Sequence, residues 1–140
     1  MKHKVAIITA SSRGMGAACA KELAENNYHV VLMSTTDSVL ALADELGGKG
    51  LIGNVTNPDD LQNLVDLAVE SYDQVDAVIN NTGHPPKGEL LEITDADWRQ
   101  AFDLLLMNVV RMCRLVVPLM LKNGGSIVKL SSFGAEETNL

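Results

Sequence analysis

The sequence is short of cysteine, of basic residues and of long apolar runs, and each shortage closes off a class of function. Only two cysteines occur in 140 residues, Cys19 and Cys113, far apart and each in a stretch that reads as helix. With no CxxC spacing and no second pair, reduced buried thiols are expected rather than a disulfide or a thiolate metal site. Lysine and arginine total 11 against 18 aspartates and glutamates, a formal net charge of −7. A chain of that sign has no basic face for nucleic acid or an anionic membrane surface. No apolar window has the length of a membrane span, and the run in MKHKVAIITASS is too short for a secretory signal. His3, His29 and His84 are scattered without ligand spacing, so no metal site is expected. Repeats, low-complexity tracts and linkers are lacking too, which points to one domain over residues 1–140 of a soluble, cytoplasmic protein.

What the chain does have is alternation. Strand-like apolar runs recur at KVAII, HVVLM, GKGLIG, VDAVIN and GSIVKLSS. Helical patterns lie between them: GMGAACAKELAENN, DSVLALADELGG, NPDDLQNLVDLAVESY and a long one from about Asp95 to Leu121. Strands apolar on both faces, alternating with helices, indicate a parallel sheet covered on two sides. Helix starts are marked by Asn57 before Pro58 and by Thr94 three residues before Asp97. Pro118 should stop or kink the long helix near its end.

The stretch ITASSRGMG sits between the first strand and the first helix. Such a turn is suited to a phosphate: the helix start carries about half a positive charge and unpaired N–H groups, and glycines let an anion approach the backbone. Alone it is a weak signal, because glycines in such a turn also serve packing.

Four further stretches strengthen it. TASSRGMG resembles the Thr-Gly-x-x-x-Gly-x-Gly loop of the short-chain dehydrogenase/reductase family, and GNVTNPDD resembles that family's Asp/Asn-Val contact after the third strand. NNTG resembles its Asn-Asn-Ala-Gly motif, LLEITDADWRQAFDLLL its run into a long interface helix, and GGSIVKLSS its fifth strand ending at a catalytic serine. The resemblance covers nearly the whole chain, with the ketoacyl-carrier-protein reductases nearest. It implies a Rossmann-type doubly wound α/β fold with five strands present in the order 3-2-1-4-5, the family's last strands falling beyond Leu140.

The resemblance also implies roles. The loop of Ser11, Ser12, Arg13, Gly14, Met15 and Gly16 would meet a pyrophosphate, Thr9 bracing it, with Ala10 where the family has its first glycine; a methyl group is tolerable there if φ stays negative. An acid after the second strand would select NAD; Ser34 and Thr35 stand there instead, hydroxyls able to donate to a 2′-phosphate. Arg13 either faces that phosphate or is a solvated loop residue; the first reading is favoured, and with it NADP(H) over NAD(H). Asn54 and Val55 would flank the adenine, and Asn81 and Gly83 the nicotinamide ribose, while Asn80 suits a buried structural amide. Ser132 would polarise a carbonyl, Ser131 being structural. The implied function is hydride transfer between NADP(H) and a small-molecule carbonyl or secondary alcohol.

Two departures oppose it. The family's relay asparagine falls on Leu105, and Asn108 lies about 300° further round a helix. The family's catalytic tyrosine and lysine would fall beyond Leu140, and the acidic ending FGAEETNL differs from the small-residue run expected. The rival reading is therefore a nucleotide-binding assembly subunit without catalysis. In either case Phe102, Leu104, Leu105, Leu106, Met107, Val109 and Val110 nearly encircle the long helix, so one side should cover the sheet and another a second subunit, as a homodimer or homotetramer.

Overall fold

Both faces of the first strand are buried, and that decides the architecture. In β1 (Lys4–Thr9), Val5 and Ile7 join one apolar cluster while Ala6 and Ile8 join another, following the twofold alternation of a strand. β2 (Tyr28–Ser34) divides likewise, Val31 and Met33 on one side, Val30 and Leu32 on the other. Each of the valine, isoleucine, leucine and methionine side chains contributes roughly 1.5–3 kcal/mol by leaving water. The computed structural model describes residues 3–132; the expectation about FGAEETNL lies outside the described residues.

β3 (Lys49–Ile52), β4 (Ala77–Asn80) and β5 (Ser126–Lys129) complete a five-stranded parallel sheet in the order β3-β2-β1-β4-β5. One face is covered by α1 (Gly14–Glu25) and α2 (Ser38–Glu45), through Ala20, Val39, Leu42 and Ala43. On the other face lie α3 (Pro58–Tyr72), through Leu61, Leu64, Val65 and Ala68, and a later helix described below. This is the Rossmann-type doubly wound fold. Burial on both faces holds for β1 and β2 but not for the edges: in β5, Ile127 and Val128 are 37% and 41% exposed.

The expected helix starts are present. Asn57 caps α3 by accepting from the Asp59 N–H at 3.1 Å, with Pro58 at the first helical position. Thr94 and Asp97 form a reciprocal capping box for α4 (Asp95–Phe102).

The single helix expected from Asp95 to Leu121 is corrected. After α4 the chain makes a π turn over Asp103–Met107 before resuming as α5 (Asn108–Met120). The capping box fixes where α4 begins, and the sheet fixes the buried stripe Asn108, Met112, Val116, Met120 of α5. A turn with i→i+5 bonding reconciles the two registers. The helix ends two residues beyond Pro118. Winding runs outward from β1 to β3 on one side and through β4 to β5 on the other. Such a reversal leaves a crevice at the carboxyl ends of β1 and β4.

Candidate functional site

The loop between β1 and α1 is held open from beneath. The Thr9 hydroxyl donates to the Asn81 carbonyl at 2.6 Å and accepts the Asn81 N–H at 2.9 Å, tying β1 to the end of β4. The Asn81 side chain donates to the Ala10 carbonyl at 3.0 Å, holding the loop from beneath. Ser11, expected in the loop that would meet a pyrophosphate, turns its hydroxyl inward. It is fully buried, its Oγ donates to the Ile8 and Met33 carbonyls, and its N–H bonds Met33 as well. It braces the turn from inside.

Ala10 does not meet the condition under which a methyl group is easily tolerated there. Its φ is +47° rather than negative, a region that costs an L-residue roughly 1–2 kcal/mol. The turn geometry that glycine usually supplies is thus enforced on alanine by the bonds around it. Gly14 is required by its own φ of +58°, whereas Gly16 is required by closeness: a Cβ there would land on the Ala10 carbonyl. Arg13, in extended conformation, precedes α1, and among the described residues no side chain caps this helix and no acid lies in its first turn. The N–H groups of its first turn therefore face outward unneutralised.

Above the loop lies a cleft of about 300 Å³ lined by Ala10, Ser12, Arg13, Ser34, Thr35, Thr36 and Ser38. Among the described residues no carboxylate lines it. Its hydroxyls are organised: Ser34 donates to Ser12 at 2.9 Å, and the Thr36 and Ser38 hydroxyls lie 2.9 Å apart. Ala10, Ser34 and Thr35 also belong to an adjoining pocket of about 190 Å³, with Gly53, Asn54, Val55, Thr82, Gly83 and Leu104. There the Asn54 amide is oriented by chemistry, because the Thr56 N–H and hydroxyl both donate to its Oδ1, at 3.0 and 2.9 Å. Its NH₂ remains as the donor. The Thr82 hydroxyl is buried and, among the described residues, has no partner.

The structure thus gathers Ser12, Arg13, Ser34, Thr35, Asn54, Val55 and Gly83 around two joined pockets. Met15 is exposed on α1, and Asn80 ties β4 to β5 through a long 3.5 Å contact to the Val128 carbonyl. Thr36, Ser38 and Thr82 were not singled out in the sequence, and Leu104 was expected only among the apolar residues around the long helix. The hydroxyl-rich run TTDS was a usable signal for the first two; nothing local marks Leu104.

At the other end of the crevice, Ser131 and Ser132 follow β5 and are both exposed. Lys129, three residues earlier, has its ammonium held below the ordinary lysine range by burial. Leu105 is 39% exposed, while Asn108 is 2% exposed and its Oδ1 has no partner among the described residues. Tyr28 begins β2 and Tyr72 ends α3, stacked on His29 with centroids 4.4 Å apart. Both sit at the amino-terminal edge of the sheet, away from the cleft. Burial raises the Tyr72 phenol above its ordinary range. Cys19 and Cys113 are free and partly buried, less so than expected. Among the described residues no group of acidic, histidine or cysteine side chains could hold a metal, and no helix is long and apolar enough to cross a membrane.

Comparison with known proteins agrees with the fold. L-fucose dehydrogenase of Mus musculus is 34% identical over 132 residues, covering 92% of this chain and 48% of that protein. The 3-oxoacyl-[acyl-carrier-protein] reductase of Escherichia coli (strain K12) is 32% identical over 133 residues, covering 92% and 54%. The chain spans about half the length of these curated relatives. Among solved structures, a 7 alpha-hydroxysteroid dehydrogenase complexed with NADH and 7-oxo glycochenodeoxycholic acid superposes with a TM-score of 0.89 at 30% identity, over 98% of this chain and 56% of that one. The family model for short chain dehydrogenase matches residues 4–139, and the chain belongs to that family.

Proposed function

We propose that these residues form the nucleotide-binding part of an oxidoreductase that moves a hydride between NADP(H) and a carbonyl or secondary alcohol. The observation that carries the reading is the carboxylate-free cleft at the end of β2, where Arg13 stands among the hydroxyls of Ser12, Ser34, Thr35, Thr36 and Ser38. A guanidinium with several hydroxyl donors suits a phosphate monoester, and an acid in that place would repel one.

The residues present fit a dinucleotide. Gly14 and Gly16 leave the α1 amides accessible to a pyrophosphate, with Ser12 and Met15 beside them. Asn54 presents its NH₂ toward a base packed on Val55, and the unpartnered Thr82 hydroxyl and Gly83 line the same pocket. When bound, the cofactor supplies or accepts the hydride. The chain's part is to bind and orient it and, through Ser132, to donate a hydrogen bond to the substrate oxygen. Ser11 and Asn81 contribute by stiffening the loop. A subunit contact over the exposed Trp98, Phe102, Leu105 and Leu106 completes the reading, since apolar area of this kind marks an interface.

The second reading, a nucleotide-binding subunit without catalysis, is favoured by Leu105 at the relay position, where no side-chain hydrogen bond is possible. Both readings share the cleft. Calorimetry with 2′,5′-ADP and with 5′-ADP tests it: the 2′-phosphate should tighten binding, and Arg13→Ala should remove that gain, roughly 1.5–3 kcal/mol for a charge-assisted contact. No difference between the two ligands would remove the basis for NADP(H).

A further inference from the structure

Arg111, on α5, makes two bonds to residues beside the smaller pocket. Its guanidinium reaches Asp103 Oδ1 at 2.7 Å and donates to the Thr56 carbonyl at 3.3 Å. Asp103 opens the π turn and adjoins Leu104, one wall of the smaller pocket. Thr56 follows Asn54 and Val55, the facing wall, and itself holds the Asn54 amide by two hydrogen bonds. One side chain thus spans the β3–α3 loop and the π turn.

The π turn makes this span possible. Asp103 and Arg111 are eight positions apart, about 80° out of line on a uniform α-helix. A wide turn advances by a smaller angle per residue and draws the two onto one side, while an arginine side chain reaches back toward the helix amino terminus. The pair is partly buried, with side-chain exposures of 25% and 34%, so its geometry is less loosened by solvent than that of the exposed Arg99–Asp95 pair at 3.6 Å.

We infer that Arg111 is a positioning residue for adenosine recognition, fixing the separation of Leu104 from Asn54 and Val55 and the orientation of the Asn54 amide. This rests on reading the cleft as a nucleotide site. A planar guanidinium can serve a carboxylate and a carbonyl at once; an ammonium on a flexible stem holds the two less rigidly.

The test is calorimetric titration of the chain with 2′,5′-ADP, together with hydrogen exchange. Arg111→Ala should weaken 2′,5′-ADP about tenfold, the scale of one lost charge-assisted contact, although Arg111 itself does not line either pocket. Arg111→Lys should recover part of the loss. Exchange of the Thr56 amide should accelerate in Arg111→Ala while amides of β1 keep their protection. If Arg111→Ala does not fold, Arg111→Lys alone must still weaken the ligand and speed the Thr56 amide. Wild-type binding with unchanged affinity in the variants would overturn the positioning role and leave the nucleotide reading intact. Failure of the wild type to bind 2′,5′-ADP would overturn both.

Discussion

Replacing Ala10 by glycine should stabilise the fold, although glycine ordinarily destabilises. Ala10 holds φ at +47°, and relieving an L-residue of that conformation is worth roughly 1–2 kcal/mol. Against it stands the extra freedom glycine gives the unfolded chain, about 0.4–1 kcal/mol. The methyl group is only partly buried, so little packing is lost. The difference leaves roughly 0.5–1 kcal/mol in favour of Ala10→Gly. At about 2.1 cal/mol/K of unfolding entropy per residue, a chain of 140 residues should then melt about 2–3 °C higher. Thermal and urea melts of both proteins measure this, provided the urea slope stays the same. A variant less stable by half a kilocalorie per mole or more, about the size of glycine's entropic penalty, would show that the turn does not strain Ala10.

Other expectations follow from the same geometry. The 140 residues by themselves should not reduce a carbonyl, because Tyr28 and Tyr72 lie at the opposite edge of the sheet and positioned acid–base groups contribute about 10²–10⁴-fold; robust turnover of NADPH with a panel of ketones would contradict this. In a longer chain that does turn over, Ser132→Ala should slow the reaction, and Leu105→Asn should raise kcat without changing NADPH affinity; steady-state rates decide both. The exposed apolar residues of α4 and the π turn should make the chain self-associate, so a monomer in sedimentation at micromolar concentration would count against a subunit interface there.

The fold was legible because its signals are periodic and punctuated. Val5 to Ile8 alternate between two covered faces, and Asn57–Pro58 and Thr94–Asp97 announce helix starts that local chemistry then builds. The π turn was hidden, since Asp103–Met107 carries an apolar pattern that a plain α-helix accommodates; only the distant capping box and the sheet-facing stripe demand the extra residue. At the site, Arg13, Ser34 and Thr35 were expected beside one another through the family resemblance, and all three line one cleft. Ser11 could not be distinguished from Ser12, as which hydroxyl turns inward depends on the Ile8 and Met33 carbonyls. The sign of φ at Ala10 is likewise set by long-range bonds, among them the one from Asn81. Leu104 reaches the smaller pocket, and Arg111 the bonds beside it, through the π turn, which no local pattern announces.

The central claim is that the β2 end of the cleft accepts a 2′-phosphate, and paired calorimetric titrations with NADPH and NADH test it most directly. The account predicts tighter binding of NADPH, by about tenfold or more for one charge-assisted contact, with the advantage lost in Arg13→Ala. Equal affinities, or a preference for NADH, would contradict it.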